Sequence, residues 1–340
     1  MNVRRRLIPT ATLAGAVTLA IVALSACSSS GAAEKRDGKL AVTASFYPME
    51  YLALAIGGDH VSVTTLTKPG VEPHDLELKP RQAAQLGESD VILYLKGVQP
   101  AVDKAIDQSG VKTVVDATTL TTLENHGTAA GAHDHGDDEQ DGHDDGHSGE
   151  AATDGAGHEE AGTDGKDPHI WLDPVRFAEV ARGVGASFEK ADPAHAAAYK
   201  ENTDKVVTKL NGLNTSFKTG LADTATKTFI TTHAAFGYLA ERYGLEQEAI
   251  AGIDPESEPS PARVKELETV AKREKVTTVF FETLASDKTA KTLAGDSGLR
   301  TDVLDPLEGI TDKTRGRDYI QVMRSNLGAL RTALGAKDLT

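Results

Sequence analysis

The chain has one cysteine in 340 residues, Cys27, so no intramolecular disulfide can hold its fold. Basic surface is equally scarce. The formal net charge is −15, and the stretch from Glu124 to Asp167 carries fourteen acids against one base, Lys166, leaving the rest of the chain close to neutral. Nothing in that balance favours nucleic acid as a partner. Neither GxxxxGK[ST] nor GxGxxG occurs, so there is no phosphate-binding signature for a nucleotide. HExxH, which places two histidines and a general base on one helix, is also absent.

What is present begins with an export signal. Arg4, Arg5 and Arg6 precede the apolar run "LIPTATLAGAVTLAIVALSAC", a charged head on a short greasy body. An uncleaved membrane anchor is the alternative, since the run has roughly the twenty residues a bilayer span needs. "LSAC" resembles the lipobox of bacterial lipoproteins, which implies cleavage before Cys27 and lipid attachment to it. The expected organisation is a signal peptide over 1–26 and a lipid-anchored tether over 27–38. An N-terminal lobe follows over 39–191, then a linking helix over 192–222 and a C-terminal lobe over 223–340.

Within the lobes, strand and helix signals alternate. "LAVTAS", "VSVTTLT", "DVILYLKG" and "VKTVVDAT" are β-rich runs separated by helical spacing, and "KTFITTH", "EAIAGI", "VTTVFFE" and "TDVLDP" repeat the pattern in the second half. Alternation of this kind predicts an α/β fold: two Rossmann-like lobes with parallel sheets. The linking helix begins at Asp192, read as its cap, with Pro193 in its first turn. Ligands of such folds bind at the carboxyl ends of the strands, here in the cleft between lobes.

Five histidines lie outside the acidic stretch. His60 and His195 fall in a turn and in the first turn of a helix, and are read as solvated polar residues. His74, His169 and His233 each fall where a strand gives way to a loop, in both lobes. Three neutral imidazoles converging on a dry cleft make a good site for Zn²⁺ and related ions. Glu282 and Glu308 are acids at strand ends of the second lobe that could complete the shell.

"EPHDLELKP", "DPHIWLDP", "TTHAAFGYLAERYG", "FFETLASDKTAKTLA" and "LDPLEGI" together resemble the solute-binding subunits of zinc and manganese ABC importers, over nearly all the chain from Lys39 onward. The resemblance implies that His74, His169 and His233 are metal ligands and that Glu308 is the fourth, with water or Glu72 as alternatives and Glu282 last. It implies an extracytoplasmic, lipid-anchored receptor, at the cell surface or in the periplasm. Such a receptor passes transported Zn²⁺ to permease and ATPase subunits as a monomer and performs no covalent chemistry. Manganese-specific members tend to carry a carboxylate in the third position, where this chain has His233, so zinc is expected before Mn²⁺ or a broad divalent specificity. A zinc hydrolase and a surface zinc buffer or adhesin are the competing classes. The hydrolase needs an open position for water, and the buffer leaves two well-patterned lobes without a purpose.

Residues 124–167 have no helical or strand period and too few apolar side chains to offset the entropy of ordering them, so a disordered loop is expected. Its six histidines, His126, His133, His135, His143, His147 and His158, are expected to form an auxiliary, poorly selective set of metal ligands that gathers zinc near the cleft or senses its excess, the competing reading being a solvated acidic insert.

Overall fold

In the computed structural model the described residues are 38–126 and 166–337. Cys27 and the histidines from His133 to His158 therefore lie outside them. Each half is a four-stranded, wholly parallel sheet. The first half comprises β1 (Leu40–Ala44), β2 (Val61–Thr65), β3 (Val91–Tyr94) and β4 (Val114–Asp116). The second comprises β5 (Thr228–Thr231), β6 (Glu246–Ala249), β7 (Thr278–Phe281) and β8 (Arg300–Val303). Strand orders are β2-β1-β3-β4 and β6-β5-β7-β8, the same winding executed twice.

The crossovers are helices: α1 (Tyr47–Gly57), α2 (Pro80–Leu86) and α3 (Pro100–Ser109) in the first half, with α6 (Gly237–Tyr243), α7 (Pro261–Arg273) and α8 (Lys288–Ser297) in the second. Between the halves run α4 (Pro174–Ala191) and α5 (Ala196–Gly220), and α9 (Tyr319–Ala333) closes the chain. Because both sheet faces are covered, strand residues alternate between cores rather than between core and solvent. Val91 and Leu93 enter the main core while Ile92 enters a smaller one with Leu86 and Val102. Likewise Phe280 joins the main core and Val279 a satellite with Leu267 and Leu293. The main core is continuous from Leu40 in β1 to Phe229 in β5, so the two halves share one apolar interior.

Two details differ from the sequence reading. Asp192 does not cap α5: its carboxylate accepts from His195 Nδ1 at 2.8 Å and from the Tyr199 hydroxyl at 2.9 Å. Residues Pro193–His195 accordingly form a separate 3₁₀ turn, and the helix starts at Ala196. His195 also stacks on His60, ring centroids 4.0 Å apart, so this pair is in mutual contact rather than merely solvated. At roughly 1.5 Å per residue, the 25 residues of α5 span about 37 Å. The helix packs on α1, α4 and α9 and so touches elements of both halves. The second difference is His126, which belongs to the folded body and is described further below.

Candidate metal centre

The three strand-end histidines meet. Nε2 of His74, His169 and His233 lie 3.4, 3.5 and 3.5 Å from one atom, Oε1 of Glu308. The loops that bring them there follow β2, β4, β5 and β8 at their carboxyl ends, where open α/β sheets hold ligands. Ligand atoms about 3.3 Å apart are what a tetrahedral ion with bonds of roughly 2.0–2.1 Å requires. Each of the four atoms is buried without a hydrogen-bond partner among the described residues. A buried, unpaired polar atom costs about 1–3 kcal/mol, and one cation placed between all four answers the cost at once.

The ring tautomers are set from behind. His169 Nδ1 lies 2.7 Å from Asp167 Oδ1, and His233 Nδ1 lies 2.8 Å from Glu282 Oε1, so in each ring the Nδ1–H donates outward and, when the ring is neutral, the Nε2 lone pair faces the centre. The Thr232 hydroxyl donates to the same Glu282 oxygen at 2.5 Å. Glu282 therefore occupies the position of an orienting carboxylate. Glu72 also lies at the centre and accepts the His74 backbone N–H at 3.2 Å through Oε1.

Electrostatics separates the acids. Burial alone raises the Glu308 carboxyl, but its contacts with His169, His233 and His74 outweigh that and hold it well below the usual carboxylate range. Burial raises Glu72 as well, and with Glu308 and Glu282 as neighbours the group is pushed up to about 9. Burial works against charge on the imidazoles, yet Glu282 and Glu308 hold His233 well above its ordinary value, and Asp167 and Glu308 raise His169.

The motif DPHIWLDP (167–174) accounts for itself residue by residue. Asp167 orients His169. The Trp171 indole N–H donates to the Pro306 carbonyl at 2.7 Å, two residues before Glu308. Asp173 caps α4 through Val175 N–H and accepts Arg242 from α6 twice, at 2.9 and 2.6 Å. The Tyr238 hydroxyl donates to the Asp167 carbonyl at 2.7 Å. Three of these links cross from the first half to the second.

Glu308 is held by a strained turn. Leu307 is fully buried with φ at +61°, a left-handed conformation that costs a non-glycine residue about 1 kcal/mol or more. Its N–H is fixed by Asp305 Oδ1 at 2.8 Å. The Asn326 amide from α9 brackets Asp305, accepting its N–H at 3.0 Å and donating to its carbonyl at 2.7 Å. Asp167, Glu282, Trp171, Asp305 and Asn326 were not singled out as orienting groups by the sequence, since each acts through a partner 2 to 135 positions away.

Two α/β lobes with a three-imidazole, one-carboxylate centre between them define a metal-binding receptor of the solute-binding type. The chain belongs to the family described as ZnuA, zinc-uptake complex component A, periplasmic, whose model matches residues 42–333. It is 33% identical over 331 residues to the high-affinity zinc uptake system protein ZnuA of Bacillus subtilis, covering 94% of this chain and 95% of that one. It is 34% identical over 320 residues to the zinc-binding lipoprotein AdcA of Streptococcus pneumoniae serotype 4, covering 92% of this chain but only 59% of that relative. Among solved structures, the Zn(II)-bound ZnuA-like domain of S. pneumoniae AdcA superposes with a TM-score of 0.68 at 31% identity, over 87% of this chain and 99% of that one. The metal-dependent lipoprotein YcdH of B. subtilis gives 0.68 at 32% identity, over 87% and 99%.

Proposed function

We propose that the protein is an extracytoplasmic receptor that takes one Zn²⁺ between its lobes and delivers it to the permease of an ABC-type importer. The observation carrying this reading is the set of three Nε2 atoms 3.4–3.5 Å from Glu308 Oε1. His74, His169, His233 and Glu308 are read as the ligands. Glu308 is preferred over Glu72 because it is the carboxyl held ionised, while Glu72 is pushed toward its neutral form. Glu282 is read as the carboxylate that positions His233. A three-nitrogen, one-oxygen shell suits Zn²⁺ better than Mn²⁺, which prefers more oxygen. Four protein ligands leave no open position for an activated water, so the site binds and releases rather than hydrolyses.

The relative named as a lipoprotein and the LSAC sequence support anchoring through Cys27. The acidic insertion is read as a collector that raises local zinc at the cleft. Deleting residues 127–165 tests that role: uptake from very low zinc should fall, and unchanged uptake would exclude it. For the receptor itself, competition titration of Zn²⁺ against Mn²⁺ should give one tight zinc equivalent that is lost in His233→Ala. Retention of that equivalent, or tighter Mn²⁺ binding, contradicts the assignment.

A further inference from the structure

Outside the cleft, among the described residues, a group of metal-ligating side chains gathers where the acidic insertion leaves the fold. His126, just before it, is not a free loop residue. Its ring meets Tyr238 edge-on at 4.2 Å and its side chain is 13% exposed. It fits because α6 begins with Gly237: a Cβ there would stand 2.2 Å from His126 Cβ and 2.9 Å from Asp167 Oδ2. His126 Nε2 faces Glu241 Oε2 at 3.0 Å and Glu124 Oε2 at 3.9 Å. One ligand atom from each of the three residues falls within a 4.8 Å cluster.

The second observation is Asp167. It is buried, and its Oδ2, which has no hydrogen-bond partner among the described residues, points at His126 Nδ1 from 3.3 Å. Its other oxygen already takes His169 Nδ1. One carboxylate thus stands behind two imidazoles, turning the Nε2 of His169 into the cleft and the Nε2 of His126 outward to Glu241 and Glu124. A carboxylate–imidazole pair with further carboxylates in front is the arrangement of a metal ligand and its orienting group. Arg176 pairs with Glu124 Oε1, which leaves Oε2 for an ion.

We propose that Glu124, His126 and Glu241 form a second, solvent-open divalent-cation site, backed by the same Asp167 that backs the cleft ligand His169. It joins the two halves, since Glu124 and His126 come from the first and Glu241 from α6. Zn²⁺ is its ion only insofar as the proposed function is right, and the site is weaker than the cleft because Glu241 is 57% and Glu124 37% exposed.

The test is histidine ¹⁵N NMR on the complete mature chain, insertion included, with the His126 signals assigned by their loss in His126→Gln. The first Zn²⁺ equivalent reads the cleft, and must shift His74, His169 and His233 whatever His126 does afterwards. With that equivalent bound, further Zn²⁺ should move His126 Nε2 into the metal-bound range. Glu241→Gln, an exposed change that spares the core, should require at least tenfold more Zn²⁺ for the same shift. A His126 Nε2 signal that stays in place through ten equivalents, or that titrates identically in Glu241→Gln, overturns the proposal.

Discussion

At the scale of single residues, the centre depends on which way each imidazole points. Glu282 takes the Nδ1–H of His233 and thereby both aims Nε2 at the centre and raises the basicity of the ring. Glu282→Gln should weaken zinc binding by about 10–100-fold at pH 8, the usual cost of an orienting partner. It should also lower the pH at which protons displace zinc, because the His233 imidazolium loses its counter-charge. Competition titrations from pH 5.5 to 8 separate this from simple damage, which would weaken binding without moving the midpoint downward. The positions that converge were legible: His74, His169, His233 and Glu308 follow strand ends, and strand ends are visible in sequence. His126 was not, because composition says only that its surroundings are polar. What holds it, the gap left by Gly237 and the face of Tyr238, is a tertiary fact.

At the scale of elements, two contacts stand out, one at the centre and one in the helical layer between the halves. One is the 305–308 turn, where the strain at Leu307 is offset by Asp305 and Asn326. Asn326→Leu removes both bonds to the Asp305 backbone and leaves those groups buried without partners. Urea unfolding of the metal-free protein should show a loss of about 1–3 kcal/mol, and zinc affinity should fall because Glu308 is no longer held; unchanged affinity would show that the turn holds itself. The other is the α4–α5 contact. A Cβ on Gly185 would stand 2.2 Å from Thr203 Oγ1, so these helices meet at glycine. Gly185→Ala should cost about 1–3 kcal/mol of stability, the range for an overpacked core, with little change in zinc stoichiometry. The helices and strands were readable from periodicity and β-branched runs. The start of α5 was not: Asp192 carries a capping residue's identity, but His195 and Tyr199 take its carboxylate.

At the scale of the whole molecule, the links from Trp171 to Pro306, Tyr238 to Asp167 and Arg242 to Asp173, together with α5 and one continuous core, tie the halves firmly. Metal-free and zinc-bound forms should differ by loop rearrangement at the 70–76 and 305–310 segments rather than by a wide rotation, which small-angle scattering of both forms would detect. The centre also sets a pH dependence. His233 and His169, raised in the folded state, stabilise the metal-free protein fully below about pH 6.5, and lose that contribution as pH rises through their folded values. Glu308, depressed, contributes above about pH 4.5 and loses its share as pH falls further. Zinc needs the neutral rings, so the gain in melting temperature on adding one equivalent should widen from pH 5.5 to pH 8. A gap that is flat or narrows would mean that the raised histidines are not the ligands.

The central claim is that one zinc ion sits among His74, His169, His233 and Glu308. Anomalous diffraction at the zinc edge, from crystals of the mature protein grown with one equivalent of Zn²⁺, tests it most directly. The account predicts one dominant peak about 2.0–2.1 Å from the three Nε2 atoms and a Glu308 oxygen. A dominant peak anywhere else, or a cleft peak whose shell excludes one of the three histidines, would contradict it.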